Sequence, residues 1–248
     1  MKKLVMSVFL SIYAIPAFAY EMDKSDMPKM GHTYYTGKVS VDRLELARDD
    51  NDKTTAIWDV LAWYGGDIHR VYVKSEGENT QHDGKTTDLE SAEVLYSRLI
   101  APFWELQAGV GTRGELGSRK DMENYAAFSL YGKAPYRFEV DTTLRVNDYG
   151  DISMNSEVEY DIRLTQISYL QPRMEVSASL TPADEYDRPR GFNTLQLGLR
   201  YRYELSREFA PYIGVYWQTA LGNSADILRK NNEDLDTVGV VLGTKFWF

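Results

Sequence analysis

From about residue 38 onward, apolar and polar residues alternate with a period of two, the spacing of a strand whose faces meet different surroundings. Leu195, Leu197, Leu199, Tyr201, Tyr203 and Leu205 share one face, opposite Gln196, Gly198, Arg200, Arg202 and Glu204. Residues 137–146, 157–164 and 170–180 behave alike. The pattern predicts strands near 38–47, 54–65, 68–78, 89–100, 103–113, 122–133, 136–146, 152–164, 169–180, 193–205, 209–219 and 236–248. Their links alternate between polar stretches (Arg48–Lys53, Asn79–Asp88, Gly114–Asp121, Asn147–Asp151, Thr181–Phe192, Ala220–Leu235) and tight turns such as Gly66-Asp67, Ala101-Pro102 and Ala134-Pro135.

A soluble sandwich also alternates apolar and polar positions, but its crossing connections give no reason for this rhythm of long and short links. A transmembrane barrel does, with short turns facing the periplasm and long loops facing outside. The expected fold is therefore all-β: an antiparallel up-and-down barrel of twelve strands, spanning residues 38–248, in the bacterial outer membrane. An even strand count places both termini on the periplasmic side. Trp63, Tyr64, Phe103, Trp104, Tyr136, Phe138, Phe209 and Tyr212 flank the short turns, where an interfacial aromatic girdle is expected.

Residues 1–19 read as a secretory signal peptide. Lys2 and Lys3 precede an apolar run from Leu4 to Ile15, and Pro16 leads into Ala17-Phe18-Ala19. That run is too short to span a bilayer, which takes about 20 residues. Residues 20–37 then form a polar, flexible periplasmic arm.

Composition narrows the chemistry. The chain has no cysteine, which excludes a disulfide framework, thiolate metal ligands and a thiol nucleophile. A net charge of −9 argues against nucleic-acid binding. A mean hydropathy of −0.43 would suit a soluble protein, but it averages a lipid-facing apolar half with a charged interior and polar loops. In the expected register the lumen is lined by Arg137, Glu139, Asp141, Arg145, Glu157, Glu159, Asp161, Arg163, Arg173, Glu175, Arg200, Arg202 and Glu204. Mixed signs on adjacent strands favour cross-strand pairing. Such a lining either satisfies a polar interior or selects a small solute or ion.

Several runs resemble a known family: Trp63-Tyr64-Gly65-Gly66-Asp67, Tyr96 to Val110, Leu170-Gln171-Pro172-Arg173, Leu197 to Glu204, Arg207 to Val215, and the closing Phe246-Trp247-Phe248. Together they are similar, from about residue 42 to the end, to the copper resistance protein B family of bacterial outer-membrane proteins. The resemblance implies a role in copper tolerance: binding or passage of copper ions at the outer membrane, with periplasmic copper-binding proteins as partners. The residues add Met22, Met27, Met30 and His32 in the arm, where thioether and imidazole groups suit copper. An accidental cluster in an acidic arm is the other reading. His69 near a turn and His82 in a loop read as solvated residues. The competing functions are a general small-solute porin or structural barrel without a metal role, and a lipid hydrolase. The hydrolase needs a serine–histidine pair that the register does not supply.

Overall fold

The computed structural model describes residues 34–81, 85–116, 122–183 and 188–248. The expected signal peptide, Met22, Met27, Met30, His32 and His82 lie outside them. Twelve strands follow one another: β1 Thr36–Asp49, β2 Thr54–Gly65, β3 His69–Gln81, β4 Lys85–Ala101, β5 Trp104–Glu115, β6 Glu123–Lys133 and β7 Glu139–Asn147. Then come β8 (Ile152–Glu159, resuming as Ile162–Arg163), β9 Ser168–Ser179, β10 Gly191–Tyr203, β11 Phe209–Ala220 and β12 Asp236–Trp247. Every strand pairs antiparallel with its chain neighbours, and β12 pairs with β1 from Trp247 opposite Ser40 to Gly239 opposite Asp49, so the sheet closes. Phe248 extends the seam, its N–H donating to the Val39 carbonyl at 2.8 Å. Closure leaves no sheet edge, which a bilayer requires of a β-structure.

The outer face is apolar. Val71, Val94, Val110, Leu199, Val215 and Leu242 come from six different strands, and each is exposed. A band of this extent around the whole wall would not be stable in water and identifies the lipid-facing surface. Tyr64, Phe103, Tyr136 and Phe209 project outward beside the short turns as a girdle requires. Trp63 and Tyr212 correct that expectation. Both line the lumen, and Tyr212 is only 5% exposed. Phe103 and Tyr136 reach the interface from left-handed backbone (φ 68° and 66°), a conformation that costs a non-glycine residue energy.

Three local features depart from the alternation. First, β3 and β4 run through much of Asn79–Asp88, because polar residues there mark water rather than the end of pairing. Second, β8 breaks at Tyr160-Asp161. Pro172 of β9 lies opposite Tyr160, accepts its N–H at 3.2 Å, and has no N–H to return. Third, the loop expected over Ala220–Leu235 contains an α-helix, α1, Gly222–Asn231. It begins without a side-chain cap and stops at left-handed Asn232, whose N–H reaches the Arg229 and Leu228 carbonyls.

Candidate functional site

The interior is not a uniform pore. On β2–β6 it holds an apolar and aromatic cluster of Tyr72, Leu95, Tyr125 and Ala127, with Leu61 and Trp63 against it. Elsewhere, among the described residues, it is a lattice of ion pairs around chambers. The periplasmic chamber, about 340 Å³, is lined by acidic and basic side chains in equal number. Two others open toward the extracellular side: one of about 170 Å³ beside β1–β3 and β10–β12, and one of about 590 Å³ beside β4–β10.

Two four-strand corners share one design. In the first, Glu45 of β1, Gly243 of β12 and Tyr212 of β11 lie side by side in register. The Glu45 carboxylate accepts from the Tyr212 hydroxyl at 3.0 Å and from Arg200 Nε of β10 at 2.7 Å. In the second, Glu93 of β4, Gly111 of β5 and Tyr125 of β6 lie side by side. The Glu93 carboxylate accepts from Tyr125 at 2.9 Å and from Arg145 Nε of β7 at 3.0 Å. Glycine is required at both centres. A Cβ on Gly243 would stand 2.7 Å from the Tyr212 ring, and one on Gly111 would stand 2.8 Å from the Tyr125 ring.

The corners are related by a pseudo-dyad across the barrel, which exchanges β1 with β4, β12 with β5, β11 with β6 and β10 with β7. Bulges obey it too: Asp42 is the extra residue in β1 and Glu90 in β4. Each bulge turns a second consecutive residue toward a chamber. On one wall the dyad passes between the registered pair Asp59 and Glu76, and on the opposite wall between Glu157 and Glu175. Two arginines break the symmetry. Arg43 pairs with Asp59 (3.4 Å) and Glu76, where the dyad-related position is Ser91. Arg173 grips both Glu157 oxygens at 2.7 Å and Glu175 at 2.7 Å, where the related position is Asn155. The Arg173 side chain is 1% exposed, so only this full set of partners makes its burial tolerable.

Among the residues expected in the lumen, Glu139, Asp141, Arg145, Glu157, Glu159, Arg200 and Arg202 line the periplasmic chamber. Glu175 lines an outer one, and Arg173, with the same inward parity as Gln171 and Glu175, is buried among the carboxylates of Glu157 and Glu175. Asp161 sits in the β8 break and accepts from Arg202 at 2.6 Å. Glu204, just beyond β10, is half-buried. Arg137 and Arg163 are placed otherwise. Arg137 belongs to the 3-10 turn Pro135–Arg137 with φ 71°, and Arg163 is exposed and donates to the Thr165 carbonyl. The alternation missed Asp42, Arg43, Glu45, Asp59, Glu76 and Glu93. Parity within each strand would have found them once the bulges at Asp42 and Glu90 were allowed for.

His69 lies on the outer face, with Nδ1 2.5 Å from the Tyr96 hydroxyl. Among the described residues, no group of three or more His, Cys, Asp or Glu side chains is arranged to hold a metal ion.

A closed twelve-strand barrel with a lipid-facing band and a polar interior defines an outer-membrane β-barrel protein. The fold is that of solved outer-membrane barrels: a NanC porin superposes with a TM-score of 0.55 at 11% identity, over 84% of this chain and 98% of the porin. The family profile "Copper resistance protein B precursor" matches residues 35–248. Copper resistance protein B of Escherichia coli is 35% identical over 88% of this chain and 73% of that protein. A copper resistance protein B homolog of Pseudomonas syringae pv. tomato is 33% identical over the same shares. The chain belongs to the copper resistance protein B family.

Proposed function

We propose that this protein binds copper ions and lets them cross the outer membrane, without catalysis, in concert with periplasmic copper-binding proteins. The observation that carries the reading is membership of the copper resistance family across the whole barrel. Residues 1–19 serve as the export signal. Met22, Met27, Met30 and His32 of the arm capture copper on the periplasmic side of the membrane, because the lumen offers carboxylates already held by arginine rather than soft ligands. The charged lumen residues then form the polar path that cargo follows. His69 meets a tyrosine hydroxyl instead of a serine, which supports a non-catalytic role.

Calorimetry with copper on the purified protein and on a variant lacking Met22, Met27, Met30 and His32 tests the capture step. Loss of the tighter binding event in the variant is expected. Unchanged stoichiometry and affinity would remove the arm from the mechanism. A general small-solute porin is the second reading, favoured by the absence, among the described residues, of a clustered metal site. Liposome swelling that is indifferent to copper would favour it.

A further inference from the structure

The periplasmic and outer chambers share lining residues, and these mark the boundary between them. Arg43 and Arg200 line the periplasmic chamber and the outer one beside β1–β3, while Arg145 and Asn155 line the periplasmic chamber and the other outer one. The pseudo-dyad passes through this level. Arg43 stands there, 8% exposed, bound to Asp59 and Glu76, with Arg173, Glu157 and Glu175 within Coulombic reach across the lumen. Twelve strands enclose more room than eight, so side chains and not the backbone decide whether this barrel conducts.

We infer that Arg43 and Arg173 form a septum at the barrel centre, and that Arg43 is the residue that sets conductance and charge selectivity. Each guanidinium is a bar clamped by a registered pair of carboxylates. Arg173 is the fixed bar, held by Glu157, Glu159, Glu175 and Gln196. Arg43 is the movable bar: its partners are fewer, and it lines two chambers at once. While Arg43 holds Asp59 and Glu76, one of their two negative charges is cancelled and the centre is only weakly cation-favouring. When it swings away, two carboxylates face the route and cations are favoured. The bulge at Asp42 gives Arg43 its inward direction. The inference rests on the passage half of the proposed function and is independent of copper capture.

The test is single-channel conductance and reversal potential in planar bilayers under a KCl gradient of about tenfold. Arg43→Gln should raise conductance roughly two- to fivefold and shift the reversal potential toward cation selectivity. Glu76→Gln leaves Arg43 paired with Asp59 alone, removes the remaining net negative charge and should shift the potential the opposite way. The double variant should return toward the wild-type potential. Heat-modifiable migration on gels verifies that each variant is a folded barrel, and if Arg43→Gln does not fold, Glu76→Gln alone still carries the prediction of an anion-directed shift. Folded variants with wild-type conductance and potential would overturn the septum. If they shift as expected while copper flux into liposomes is absent, the septum stands and the copper reading fails. If copper crosses but the shifts are absent, the reverse holds.

Discussion

The two dyad-related corners are built alike and surrounded differently. Glu93, Gly111, Tyr125 and Arg145 adjoin the packed cluster in which Leu95 is fully buried. Glu45, Gly243, Tyr212 and Arg200 adjoin the ion-pair lattice, with Ala47 at the position that corresponds to Leu95. The same backbone device thus supports one wall filled by volume and another filled by charge. Volume excludes water and solute outright. Paired charge excludes them conditionally, since each partner can be exchanged. The difference shows how one closed barrel combines a tightly packed wall with a polar, chamber-lined one.

Four substitutions probe this contrast, beginning with the largest effect. Arg173→Met strips Glu157 and Glu175 of their shared cation in a buried setting and should cost about 3–5 kcal/mol in urea unfolding from lipid vesicles. Adding Glu157→Gln and Glu175→Gln should restore most of that loss; no recovery would mean that Arg173 acts through packing. Leu95→Ala should cost about 2–4 kcal/mol on the packed wall, with the same loss at low and high salt. A strongly salt-dependent loss would dissolve the distinction between the walls. Gly111→Ala and Gly243→Ala should each cost about 1–3 kcal/mol, because the new methyl group meets a tyrosine ring in both places. Similar losses sustain the matched corners, and a loss at only one breaks the match.

Legibility in the sequence follows the same division. On β7–β10 the inward residues are charged, so the period of two was plain and the expected lumen positions largely coincide with chamber-lining ones. On β1–β6 many inward residues are Leu61, Trp63, Tyr72, Leu95, Tyr125 and Ala127, which look no different from lipid-facing ones. There the bulges at Asp42 and Glu90 also shift the parity, hiding Arg43, Glu45 and Glu93. The break in β8 was illegible locally because its cause, Pro172, sits on the next strand. Helix α1 is short and lacks a side-chain cap, so it carried no start signal. Trp63 and Tyr212 show that aromatic residues near a turn can face either way, and only the register decides.

Copper flux into liposomes tests the proposed passage of copper through this barrel most directly. Vesicles loaded with a copper-quenched dye, with and without the reconstituted protein, should differ. Fast, protein-dependent quenching on addition of copper is expected, slowed by removal of the proposed capture residues Met22, Met27, Met30 and His32. Quenching no faster than in protein-free vesicles, from a barrel verified as folded, would contradict it.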